Sequence, residues 1–170
     1  MPAQEHPVRI QRKTAITFEG GWNSLAGVGI NVSYAPVSKF AIDLGSGLGL
    51  QGFKGGIRGR YFFLDSNLSP YFGMGYMIAP NQLDGYPVRD ENGDLFMVNL
   101  LPSHYGQFVL GIEYMSQGGF VIGANIGYAL LIKGGIEAAR NNVSIEPVEQ
   151  ILDLLLGSGI AFGVNLGYSF

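Results

Sequence analysis

The sequence predicts an all-β fold: an eight-stranded antiparallel up-and-down transmembrane β-barrel with one short helix in a loop. Three observations carry this. Eight segments alternate with period two between large apolar residues and a second set, as side chains do on the two faces of a pleated strand. That second set is small, chiefly glycine, where a soluble strand would present long charged residues to water. Aromatic residues gather toward the two ends of the strands, with aliphatic residues between them. Composition agrees, since 14% of residues are charged and 27 of 170 are glycine, against about 25% and about 7% in ordinary soluble domains.

The first segment, 14–22, sets Thr14, Ile16, Phe18 and Trp22 against Ala15, Thr17, Glu19 and Gly21. Segment 26–35 sets Val28, Ile30, Val32 and Tyr34 against Gly27, Gly29, Asn31 and Ser33, and segment 38–50 sets Phe40, Ile42, Leu44 and Leu48 against Lys39, Ala41, Asp43 and Gly45. In 53–64, Phe53, Ile57, Tyr61 and Phe63 oppose Lys54, Arg58 and Arg60. In 70–79, Phe72, Met74, Tyr76 and Ile78 oppose Tyr71, Gly73 and Gly75. Segments 105–116 and 119–131 repeat the scheme with Gln107, Gly111, Glu113, Gly123, Asn125 and Gly127 on the small face. The last, 159–170, reads "GIAFGVNLGYSF" and ends on an aromatic residue. It matches 119–130, "GFVIGANIGYAL", at several positions. Consecutive strands run oppositely, so this similarity reads as one composition rule used twice.

Each segment is near the ~9–11 residues a tilted strand needs to cross a bilayer, and no apolar run approaches the ~18 of a membrane helix. The connections "APVS", "LDSNLS" and "SQGG" are short, whereas those at about 80–104 and 132–158 are long. Short turns at one rim and longer loops at the other suit an outer-membrane barrel. Residues 1–13 are expected as a periplasmic N-terminal segment and 14–170 as one barrel domain. The opening "MPAQEHPVRIQRK" lacks the apolar stretch of a signal peptide.

Side-chain volume decides which face is outside. The interior of an eight-stranded barrel is just wide enough for side chains to fill it or for one small ligand. It has no room for Phe18, Tyr34, Phe40, Phe53, Tyr61, Phe72, Phe108, Tyr128, Phe162 and their aliphatic neighbours together. With the bulky set outward and the small set inward, the conflict disappears. The sorting by height agrees. Tyr34, Phe40, Tyr61, Phe63, Tyr114, Phe120 and Tyr168 fall near the short-turn rim, and Trp22, Phe53, Phe108, Tyr128 and Phe162 toward the other. Aromatic girdles around an aliphatic band match headgroup zones around hydrocarbon.

"GIRGRYFF" and "SPYFGMGY" within 56–76, and the closing "NLGYSF", resemble the small eight-stranded outer-membrane barrels of the OmpA, OmpX and OmpW type. The resemblance covers 14–170 at the level of pattern. It implies a bacterial outer-membrane location and contact with outer-membrane lipid and lipopolysaccharide. It also implies insertion by the barrel-assembly machinery, which would read Leu166, Tyr168 and Phe170 as its signal. Such barrels serve as anchors, adhesins, small pores and lipid-modifying enzymes.

The inward charges are Glu19, Lys39, Asp43, Lys54, Arg58, Arg60 and Glu113. Glu19, Asp43, Arg58, Arg60 and Glu113 are expected to meet near mid-depth as an ion-paired plug, because unpaired charges there are costly. No metal, cofactor or catalytic residue is expected. Ser103-His104 is similar to pairs in lipid hydrolases, but adjacent strand residues point oppositely. "DENGD" (90–94) has calcium-like spacing with its glycine misplaced and Leu101 where a glutamate is needed, so it reads as an Asn-Gly hairpin tip. There is no cysteine, and a net charge of −3 gives no footprint for nucleic acid. In "SIEPVEQILDLLLGSG", Val148, Ile151, Leu152 and Leu155 recur at helical spacing, a short amphipathic helix suited to capping the barrel mouth, lying on the outer leaflet or meeting another outer-membrane protein. The expected function is a non-enzymatic membrane scaffold or interaction subunit. Passage of small or apolar solutes and lipid modification are the alternatives.

Overall fold

The computed structural model describes residues 8–81, 83–89, 95–138 and 157–170. A four-residue helix, α1 (Val8–Gln11), precedes β1 (Thr14–Trp22), β2 (Val28–Val37), β3 (Phe40–Gly49), β4 (Gly52–Phe62) and β5 (Leu68–Ala79). Then follow β6 (Leu83–Arg89), β7 (Leu95–Met115), β8 (Phe120–Ala138) and β9 (Gly159–Ser169). Neighbours in sequence pair antiparallel except β5 and β6, β9 returns to β1, and β5 pairs with β7 to close the sheet. The wall therefore has eight strands. β6 pairs with β7 beyond the end of β5 and raises the wall on that side. Closure leaves no wall strand with an unpaired edge.

The turns β2–β3, β4–β5 and β7–β8 share one rim with α1, and this is the short-turn rim. At the opposite rim lie the β1–β2 connection, the β3–β4 turn and the extended β6–β8 region. The alternation read from sequence is the alternation of exposure. Outward Phe18, Leu44, Leu110, Ile126, Val164 and Leu166 are each more than half exposed, while Glu19, Asp43, Gln107 and Val109 are at most 1% exposed. β8 and β9 pair with Phe120 opposite Tyr168 and Gly123 opposite Asn165, so their similar sequences run in opposite directions.

Three features depart from the expectations. β7 and β8 run for 21 and 19 residues, further than the alternation indicates. Pro102 and register shifts around His104 interrupt the period of two there, while the backbone pairing resumes beyond them. Lys39 does not enter the lumen: it sits in the β2–β3 turn and meets Asp65 at 3.6 Å, both side chains more than 40% exposed. The described helix is α1, in the N-terminal segment. The helix expected around Val148, Ile151, Leu152 and Leu155 lies outside the described residues. So does the Asn92-Gly93 tip, whose flanking strands pair up to Arg89 and Leu95.

Candidate functional site

The interior is stacked in three layers. At the long-loop mouth the β1–β2 connection turns inward and carries Leu25, fully buried against Met77, Tyr105, Ala129 and Ala161. A left-handed turn starts and ends this excursion, with φ of 47° at Asn23 and 68° at Gly27. The Gln107 amide donates to the Asn23 carbonyl at 2.7 Å, and the Ala26 N–H donates to Glu19 at 3.2 Å. Glycines on the inner face provide the room. A Cβ on Gly45 would stand 2.8 Å from Leu25 Cγ and 2.3 Å from Asn31 Oδ1, and one on Gly56 would stand 2.9 Å from Leu25 Cδ1.

The middle layer is ionic. Glu19 accepts from the Asn31 amide at 2.5 Å and faces Arg58 Nη1 at 3.7 Å. Asp43 accepts from Ser33 at 2.7 Å, from Arg58 Nε at 3.0 Å and from Arg60 Nη2 at 2.9 Å. Arg60 reaches Glu113 through Nη1. Arg9, from α1, closes the chain of contacts by donating Nε and Nη2 to Glu113 at 3.3 Å and Nη1 to the Ser66 carbonyl at 3.1 Å. Three carboxylates thus face three guanidiniums, none more than 5% exposed. Planar guanidiniums suit this setting because they form several directed bonds at once. Burial pushes Arg9 below the ordinary arginine range, with Glu113 acting in the opposite direction.

The third layer is aromatic and apolar. Phe62 and Tyr71 pack at 5.5 Å beside Ala35, Ala41 and Val109. The Arg9 guanidinium lies 3.8 Å from the Phe62 ring centre, and Arg60 lies 5.1 Å from both rings. These positive groups over π faces add attraction that grows with desolvation. Below, Val8 of α1 packs with Ala15, Met115 and Val121. The empty space beside Arg9 amounts to ≈ 20 Å³, room for about one water. The lumen is closed here by side chains.

Among the residues singled out from sequence, Glu19, Asp43, Arg58, Arg60 and Glu113 come together in one network. Lys54 is buried but stands apart from it, nearer the long-loop mouth, its Nζ 5.8 Å from the Tyr105 ring centre. Leu166, Tyr168 and Phe170 all face outward on or just beyond β9. Ser103 and His104 diverge: the buried Ser103 hydroxyl donates to the Leu101 carbonyl at 2.9 Å, and His104 Nδ1 meets the Tyr76 hydroxyl at 2.5 Å. Among the described residues no group of three histidines or carboxylates is placed to hold a metal ion. Sequence reasoning missed Arg9, Leu25 and Phe62. Arg9 precedes the first alternating segment, so no strand parity places it, and one apolar residue in a five-residue turn has no period to read. Phe62 was hidden between outward Tyr61 and Phe63. Compared with known proteins, the chain matches no family model and no curated sequence.

Proposed function

We propose that this protein is a non-enzymatic barrel of a bacterial outer membrane, closed through its lumen, that serves as a scaffold or interaction subunit through its long-loop rim. One observation carries the proposal: the outward face is a continuous belt of large apolar side chains, while the ionic groups are inside. Outward Ile30, Leu44, Leu110, Ile126 and Val164 are 55–63% exposed. A soluble monomer rarely exposes apolar patches beyond a few hundred Å², and hydrocarbon is the solvent such a belt fits. Lipid and lipopolysaccharide are then its immediate surroundings, and the barrel-assembly machinery its route of insertion, with Leu166, Tyr168 and Phe170 as the segment read.

The closed lumen argues for interaction over passage. Leu25, the arginine–carboxylate network and the Phe62–Tyr71 pair succeed one another along the axis, and together they fill a bore of this size. A scaffold acts through what it presents above the membrane, and in the sequence Val148, Ile151, Leu152 and Leu155 recur at the spacing expected of such an element. The double variant Ile151→Glu with Leu155→Glu is expected to fold and resist heat like the parent in detergent. It is expected to lose co-purification of outer-membrane proteins or binding of lipopolysaccharide. Unchanged binding, or loss of barrel stability instead, contradicts an interaction role for that segment.

A further inference from the structure

Among the described residues, the three buried carboxylates of the lumen are matched by Arg9, Arg58 and Arg60, which leaves one buried cation over. Lys54 is 7% exposed. No carboxylate among the described residues lies within 4.0 Å of its ammonium, and its one charge-related contact at close range is the face of Tyr105. Glu19, the acidic residue that most influences it, lies beyond ion-pair distance; its Oε2 accepts from Ala26 and Asn31, and its Oε1 faces Arg58 at 3.7 Å. An ammonium on so little-exposed a side chain, with no carboxylate or hydrogen-bond partner among the described residues, has lost much of its hydration without a replacement there. Here it lines a cavity of ≈ 380 Å³ between the β1–β2 connection and the β3–β4 turn, together with Trp22, Leu48, Leu50, Gln51 and Tyr105. That volume is in the range of small-molecule sites, which are largely apolar with a few placed polar groups.

We propose that this cavity binds a small apolar molecule bearing a single carboxylate, with Lys54 as its counter-ion. The chemistry follows from the lining: a positive charge with no carboxylate beside it among the described residues asks for one negative charge, and buried Ala79 and Tyr105, with exposed Leu48 and Leu50 at the rim, ask for a hydrocarbon body. Leu25 and the ionic layer lie beneath, so the site is a terminus and not the entrance to a passage. The site stands on the lumen's charge balance and not on the bilayer, so it is tested separately from the membrane proposal.

Trp22 is the sole tryptophan of the chain and lines the cavity, which makes its fluorescence the reporter. The full-length protein in a non-ionic detergent is titrated with sodium hexanoate, 1-hexanol and hexylammonium chloride. The expected result is a saturable change with hexanoate, weaker by about tenfold or more with the other two, and weakened as much in Lys54→Met. Equal response to hexanoate and hexanol would remove Lys54 from the site, and no saturable response to any of them would remove the site. If Lys54→Met does not fold, the comparison of the three compounds on the unaltered protein decides alone.

Discussion

At the scale of single residues, the lumen depends on groups that cannot be removed one at a time. Arg58 lies between Asp43 and Glu19, and both carboxylates are essentially inaccessible to water. Taking one partner from a buried ion pair commonly costs ~3–5 kcal/mol, because the remaining charge is stranded. Arg58→Ala is therefore expected to lower barrel stability by about that much in denaturant titrations from lipid or detergent. A change of ~0–1 kcal/mol, as at an exposed pair, would show that water reaches the network. The inner glycines are sensitive in the other direction. Gly45→Val would collide with both Leu25 and Asn31, whereas a side chain on outward Gly20 meets nothing within 4 Å. Overpacking typically costs ~1–3 kcal/mol, so Gly45→Val should destabilise the barrel in the same titration while Gly20→Val leaves it nearly unchanged. Equal effects would mean that Leu25 is not seated inside.

At the scale of elements, α1 and the β1–β2 connection are two stoppers of different strength. The connection is tied to β7 and β1 through Gln107 and Glu19, and its removal would break wall and interior together. α1 is held chiefly by Arg9 and Val8. Deleting residues 1–11 should leave the barrel folded with a lower melting temperature, since Glu113 keeps Arg60 but loses Arg9. Planar-bilayer recordings of that deletion are expected to stay silent, because Arg60, Phe62, Tyr71 and Leu25 still obstruct the axis. Stable openings on deletion would make α1 the gate. The strands themselves were legible because Ile16, Phe18, Val32, Leu44 and their outward neighbours state a period of two for many residues. The stoppers were not, since four helical residues and a five-residue turn are too short for any period. Lys39 misled for a related reason: its parity continues the inward set, but the chain has already entered the turn.

For the whole molecule, one inversion organises the barrel wall: side chains that a soluble protein would hide are outside, and the charged groups at mid-depth are within. The sequence states both halves of that inversion by itself, the volume of the outward set excluding it from the interior and the glycines marking the narrow side. The contents of the lumen were legible in part, because the parity of Glu19, Asp43, Arg58, Arg60 and Glu113 says only that they face inward. Which carboxylate meets which guanidinium depends on shear and on α1, and neither is written in a local pattern. The outward face predicts a bilayer whose centre coincides with the aliphatic band, where Leu44 lies between Val32 and Ile57 in register. The direct measurement places a single tryptophan there, Leu44→Trp in a Trp22→Phe background, and refolds the protein into phospholipid vesicles brominated at mid-chain or near the headgroup. Stronger quenching by mid-chain bromine for Leu44→Trp, and by headgroup-proximal bromine for the parent with Trp22, is the expected result. Emission from Leu44→Trp that neither lipid quenches would contradict the inverted barrel.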